Sequence, residues 1–412
     1  GWQEGGAYWN YGVHTSSFFA DAFKRLSNGK YNLFNNKRLN ENPASFPLYL
    51  SLPGKKSLNF EDSGGYDLIG SPHLINKLAT ETNNEEAAWY RSNFLGEGNN
   101  IFDIIWPRPS SLGVPPKNPS KHFRTIDWWV MRTDFMNPNK VIVAGKAGMN
   151  DDPHHGLLDI GHFVVYWKKE YFIRDLGKSG YDEKYFNEAR FEYPEAASLG
   201  HNTILVNGEQ QISAKYYKQP YDYSIGGKVL DFQSSEEVDY VLMDPTKAYP
   251  NKELKKWRRS VILKKPEVTL ILDEIKSSPN AEIKVRFHSG VKVEIHDKFV
   301  MLEGKNGKMV LIPILDQKFE IKQGRHTSQM VNGTEKFKWI DYFDVEVNSK
   351  KEITNLVTLI LPVKNLEEAM QIVAAKSVKT EKNGSIQVNF VRGQDDFYFS
   401  FEMKKEGLIY KK

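Results

Sequence analysis

The 412-residue chain contains no cysteine. Disulfides, thiolate catalysis and cysteine-based zinc sites are therefore excluded, while the compartment stays open. No apolar run reaches the roughly 20 residues that a membrane-crossing helix needs. No Lys/Arg run is long enough to act as a nucleic-acid arm. The net charge is only +4, which suits an anionic partner without identifying one. There is no internal repeat and no low-complexity tract. Aromatic residues, by contrast, are plentiful: 20 Tyr, 24 Phe and 9 Trp make up 13% of the chain. Such rings stack on sugar faces or fill sheet cores. The length predicts two or three domains.

Residues 1–110 read as helix and loop. The spacing Phe18-Phe19-Ala20-Asp21-Ala22-Phe23 suits a helix. Ser71-Pro72 is a helix start, and a helical stretch over 72–94 is expected to break near Asn83-Asn84. Five prolines, at 107, 109, 115, 116 and 119, mark a linker. Beyond it lie many short β-branched or aromatic runs, among them Trp128–Arg132, His162–Trp167, Val268–Asp273 and Met309–Ile314. Turn residues separate them, and Asn306-Gly307 reads as a hairpin turn. This pattern indicates an antiparallel β-sandwich. One further helix is expected at Leu366–Ala375. The expected organisation is a helical domain with linker over 1–119, a large β-domain over 120–345, and strands over 346–412 that complete it.

The chemistry concentrates between Asp151 and His201. The stretch DDPHHGLLDIG carries His154, His155 and Asp159, and His162 follows; three of the ten histidines fall within nine residues. Histidine moves protons near neutral pH and binds metals. Asp175-Leu176-Gly177 and His201-Asn202-Thr203-Ile204 come next. Lys121, Arg124, Arg132 and Lys146 read as solvated surface charges that could meet sulfate or carboxylate groups. His288 reads as structural.

In combination, four segments resemble the heparinase II/III superfamily of polysaccharide lyases. They are EGGAYWNYG at 4–12, HHGLLDIGHFVVY at 154–166, DLG at 175–177 and HNTILVNGEQQ at 201–211. The resemblance implies an α+β multidomain protein, a partial (α/α) toroid followed by a large antiparallel β-sandwich. It implies β-elimination on a uronic-acid-containing polysaccharide, a glycosaminoglycan such as heparan sulfate ahead of alginate. Export to the periplasm or the exterior is implied with it. The chain opens abruptly on GWQEGGAYWNYG, so it is expected to begin inside a larger protein.

The resemblance also implies site residues. Tyr8 is the first choice for the catalytic tyrosine and Tyr11 the second. His155, ahead of His154, is the histidine acting opposite it. Glu4, Trp9, Asn10 and Arg132 are the expected substrate-binding residues, and Asp159 is expected to orient a histidine or cap its turn. The group that neutralises the substrate carboxylate is expected upstream of this chain. A structural divalent metal, often zinc, is implied at Asp175 and His201. The remaining ligand position holds Leu157, which cannot ligate, so His162 or His154 would have to replace it. Without a metal, Asp175 and His201 would form a buried ion pair joining two strands. Two rivals remain: a noncatalytic acidic-glycan-binding protein with the same fold, and a glycoside hydrolase. The hydrolase would need paired carboxylates, for which Glu4 and Asp159 are the only candidates.

Overall fold

The computed structural model describes the chain except residues 1, 41–43, 62, 64–67, 151–155, 179–180, 184, 186, 215–219, 251, 329–337, 406 and 412. The chain forms two units, residues 1–121 with 134–137, and residues 122–133 with 138–412.

The first unit is mainly helical. The helix Gly6–Leu26 ends with Lys24 and Arg25 in its last turn, where cations face the carbonyl end of the helix dipole. Asp21 fixes this helix to its neighbours. Its carboxylate accepts from Lys77 Nζ at 2.6 Å and from Trp106 Nε1 at 3.1 Å. Burial pushes the Asp21 carboxyl up, but these donors and Arg25 outweigh it and hold it below its ordinary value. The helices Pro72–Thr82 and Glu85–Asn93 are separate, as the Asn83-Asn84 pair predicts. Asn83 takes the left-handed conformation at φ 49°, which asparagine tolerates better than most residues. The Asn84 side chain accepts the N–H of Ala87 at 2.7 Å and caps the second helix. The outer face of Gly6–Leu26 exposes Tyr11, Phe19, Phe23 and Leu26.

The second unit is built of sheets. An eight-stranded antiparallel sheet runs in the order Lys292–His296, Phe299–Glu303, Lys308–Ile314, Ile353–Val363, Val268–Ser277, Leu254–Lys264, Val238–Asp244 and Lys228–Ser234. Both of its faces are buried. Val241, Val261, Leu263 and Ile271 point into one core. They meet Val143, Phe163 and Val165 of a sheet that contains Trp128–Arg132, Ile142–Lys146 and Phe163–Trp167. Val285, Phe287 and Val345 reach the same core from a four-stranded sheet. The alternate residues Tyr240, Leu242, Ile262, Leu270 and Leu272 point into a second core. That core is closed by the helix Leu366–Ala375 and by a C-terminal sheet of four strands between Ser377 and Lys411. Burial on both faces explains why the central strands read as continuous apolar runs.

The region 346–412 therefore divides its work. Ile353–Val363 lies inside the large sheet, whereas the strands from Ser377 onward form a sheet of their own. Among the strands not legible from sequence, two lie side by side in the four-stranded sheet. Glu320–Ser328 is an edge strand of mixed polar composition, and Lys338–Asn348 beside it alternates. Neither offers an apolar run, because each has only one face to bury.

Replacing Asn84 by Ala removes the cap of the second helix. The first unit is expected to lose about 1 kcal/mol. Denaturant unfolding followed by Trp106 fluorescence measures it; an unchanged midpoint would show that the cap contributes nothing.

Candidate active site and metal group

The DIG turn at 159–161 begins the site. Gly161 sits at φ +86°, and a Cβ there would lie 2.6 Å from the Trp257 ring, so only glycine fits. Arg259, fully buried, holds this turn. It donates through Nε and Nη2 to Asp273 at 2.7 and 3.0 Å, and through Nη1 to the carbonyls of Gly161 and Asn202 at 2.8 and 2.6 Å. Gln211 pairs with Ile160 as a strand would: its Oε1 accepts the Ile160 N–H at 3.0 Å and its Nε2 donates to the Ile160 carbonyl at 2.8 Å.

Asn202 is the hub of the HNT segment. Its Nδ2 donates to the carbonyls of Phe163 and Arg174, and its Oδ1 accepts the backbone N–H of His288 at 2.7 Å. One side chain thus joins three chain segments. His288 is buried and structural, as its sequence setting suggests.

These constraints bring His162, Asp175 and His201 together. All three are buried, and one ligand-type atom of each lies within 4.8 Å of the others. Asp175 Oδ2 is 3.0 Å from His162 Nε2 and 3.6 Å from His201 Nδ1. Burial pushes the Asp175 carboxyl up, but the two imidazoles outweigh it and hold it well below the usual carboxylate range. Burial lowers His162, with Asp175 opposing. For His201 burial also lowers the pKa, but Asp175 prevails and raises it.

By distance the group could hold a metal ion. The hydrogen bonds decide how well its donors suit one. His201 donates Nε2–H to the carbonyl of Glu195 at 3.1 Å, which leaves Nδ1 facing Asp175 as metal-binding histidines require. His162 is set the other way. Its Nδ1 accepts the N–H of Asn202 at 2.9 Å, so the proton of the neutral ring sits on Nε2, the atom that faces Asp175. Leu157 adds no ligand; it packs with Tyr185, Tyr193 and Ala196. Two donors fit zinc and the third is an N–H, so the three do not fit as a complete neutral-imidazole ligand set.

The other expected residues are placed as follows. Tyr8 is half-buried on the helix Gly6–Leu26, Trp9 is buried, and Tyr11 is 71% exposed. Asn10 Oδ1 accepts the Ser71 N–H at 3.3 Å, and Glu4 Oε2 accepts from Trp2 Nε1 at 3.1 Å. His154 and His155 lie outside the described residues. Tyr8 belongs to the first unit and the His–Asp–His group to the second.

Two expectations are corrected. Arg132 and Lys146 are not solvated charges; they are 0% and 2% exposed, and a guanidinium so buried cannot receive substrate. The Asp159 carboxylate pairs with Lys146 Nζ at 2.9 Å. Lys146, Arg259, Asn202 and Gln211 were missed as parts of one buried network. Their signal was weak, since a buried lysine or arginine looks like any other in sequence until its partner is known.

The comparisons bear on this assembly. Residues 115–387 match the family model described as heparinase II/III-like, C-terminal. The chain belongs to this family. A search of curated proteins by sequence finds no match. Among known structures, a crystal structure of heparinase III is similar, with a TM-score of 0.70 and 17% identity over 95% of this chain and 59% of that one. Heparan sulfate lyase HepC from Pedobacter heparinus is similar with a TM-score of 0.72 and 14% identity, over 99% of this chain and 58% of that one. The chain thus spans a little under three fifths of either relative, and at these identities the likeness is one of fold. Among the described residues, no helix is long and apolar enough to cross a membrane.

Two outcomes follow for the site. Protein purified without a His-tag or chelator is expected to carry well under one metal ion per chain and to keep its Tm in EDTA. Stoichiometric zinc, lost with a drop in Tm, would contradict the hydrogen-bond assignment. The second concerns His326, whose ring stacks on Tyr342 at 4.4 Å. Burial and the Arg286 charge push its pKa down to about 4. A folded pKa below the unfolded one means that the unfolded chain takes up the proton first. Stability from this group is therefore present above about pH 6.5 and lost as pH falls toward 4. His326→Gln is expected to flatten the stability-against-pH curve within that window; an identical slope in the variant would count against it.

Proposed function

We propose that the chain is the C-terminal portion of a polysaccharide lyase that cleaves a uronic-acid-containing anionic polysaccharide by β-elimination. A glycosaminoglycan of the heparan sulfate type ranks above alginate as substrate. The observation that carries this reading is the family match over 115–387, the region that builds the His–Asp–His group. The names of the two relatives, heparinase III and heparan sulfate lyase, agree with it.

In this reading the helical unit belongs to an (α/α) toroid and the sheet unit is the β-sandwich. The exposed apolar face Tyr11, Phe19, Phe23 and Leu26 supports the toroid, because further helices would cover it. The protein is exported to where such polymers are met.

Elimination needs a base for the C5 proton of the uronate and an acid for the O4 leaving group. The C5–H electron pair forms the C4=C5 double bond. The C4–O4 pair leaves on O4, which takes a proton. Tyr8 supplies the phenol for this proton transfer, and His155, ahead of His154, acts opposite it. Tyr8 suits the role because the rigid helix Gly6–Leu26 carries it and its side chain is only partly buried. The His162–Asp175–His201 group has a different task. Fully buried, it holds the DIG turn, the DLG segment and the HNT segment in register, and no chemical step passes through it.

The test is ultraviolet absorbance of unsaturated uronate when a protein carrying this chain meets heparan sulfate, heparin, chondroitin sulfate, hyaluronan and alginate. Turnover of one polymer is expected, and Tyr8→Phe is expected to lower kcat about 100-fold or more. Binding without absorbance on any polymer would replace the lyase with a glycan-binding protein. Saturated products would indicate hydrolysis.

A further inference from the structure

A cavity in the second unit lies apart in sequence from the candidate site residues. It is a groove of about 910 Å³ between strand ends of the eight-stranded sheet, near Ile314 and Ile353, and the C-terminal sheet. Lys298 and Lys318 stand on the large-sheet side and Lys376 on the other. Among the described residues neither Lys298 nor Lys318 has an acidic partner within 4 Å, whereas Lys351 at the same groove is paired with Asp316 at 2.6 Å. Asp297 also lines the groove, so the lining is net basic by two charges: four lysines against two aspartates. The Lys376 ammonium donates to the Val373 carbonyl at 3.0 Å. Burial and the nearby Lys298 charge hold Lys376 below its ordinary pKa. A net excess of positive charge along one groove favours an anion there.

The rest of the lining is suited to a sugar. The side-chain oxygen of Asn355 is buried at the groove without a hydrogen-bond partner. Phe319, half-buried, and Met403 offer apolar surface for pyranose C–H faces. One aromatic ring is too few to stack successive bases, which argues against nucleic acid. Among the described residues no arginine lines the groove, so paired recognition of phosphate or carboxylate by a guanidinium fork is not offered by them. Lysines act as point charges and accept sulfates or carboxylates at varied angles along a flexible chain. The volume lies within the range of ligand pockets.

We propose that this groove is a second binding site for the anionic polysaccharide, distinct from the catalytic residues, in which Lys298, Lys318 and Lys376 hold sulfate or carboxylate groups over Phe319 and Asn355. The proposal rests on the polysaccharide-lyase reading for the identity of the ligand. It gives the C-terminal sheet a function, gripping the polymer at a point away from the cut. A chain held at two points stays bound between successive cleavages, so removal of the groove should affect long substrates more than short ones.

The experiment uses the protein that carries this chain, with Lys298→Ala and Lys376→Ala combined, changes at an exposed and a half-buried side chain. Affinity for a fluorescent heparan-sulfate-derived hexasaccharide is measured by anisotropy, in a Tyr8→Phe background so that the probe survives. The double variant is expected to bind roughly fivefold more weakly, the effect of removing two modest charge contacts. With Tyr8 intact, it should release unsaturated product from a short oligosaccharide at the unaltered rate. Unchanged affinity would overturn the site. So would an acidic peptide of equal charge that binds more tightly than the sugar and loses as much affinity in the variant. The two readings fail separately: turnover with unchanged affinity removes the groove and keeps the lyase, while lost affinity without turnover by any form keeps the groove and removes the lyase.

Discussion

The buried Arg259–Asp273 pair is the constraint on which the sheet unit's chemistry depends. Taking a guanidinium and a carboxylate out of water is costly unless every donor is used. Here the carboxylate takes two N–H groups from Arg259 and the Trp257 indole N–H, and a third guanidinium nitrogen reaches the carbonyls of Gly161 and Asn202. The guanidinium also lies against Phe163 and Trp257. Those two carbonyls belong to the residues that immediately precede His162 and follow His201. The pair therefore does more than join two strands of the large sheet. It sets where two separate turns stop, and the positions of both histidines follow from that. Removing one partner would leave a buried charge at the point where both turns are anchored.

From that anchor the arrangement spreads through side chains that imitate backbone. Gln211 pairs with Ile160 through its amide, and Asn202 satisfies polar groups on three segments. An amide does this well because it offers both donors and an acceptor. Residues that look functional in a motif can thus serve as supports. In HNT the asparagine holds the architecture, and its own backbone N–H fixes the tautomer of His162. The same bond that orders the ring also commits its second nitrogen to carrying a proton. Order and metal affinity are in conflict at this one atom.

Much of the fold was legible because its signals are local. Asn83-Asn84 announced a helix break, Leu366–Ala375 a helix, and the apolar runs of the large sheet their burial. Strands with one solvated face, such as Glu320–Ser328, gave no such run. The site was legible in part. Asp175 and His201 were expected together, and His162 was one of two expected replacements for Leu157. The partner of Lys146 was invisible, since pairing across 13 residues depends on a fold that no local pattern encodes. Burial reversed the reading of Arg132 for the same reason: its charge was visible and its surroundings were not.

The order of strands in the large sheet carries a consequence for how the chain is made. Ile353–Val363 lies between Lys308–Ile314 and Val268–Ser277, near the middle of the sheet, yet it is the last of the eight to be synthesised. Until it emerges from the ribosome, the sheet exists as two blocks, each with an open apolar edge facing the gap. Such edges pair readily with other chains. The nascent protein must wait with a sticky seam exposed over nearly 40 residues of further synthesis, from Ile314 to Ile353. Folding is then expected to be largely post-translational in this unit and sensitive to crowding of nascent chains. A truncation just before Ile353 would leave an aggregating fragment, not a smaller domain.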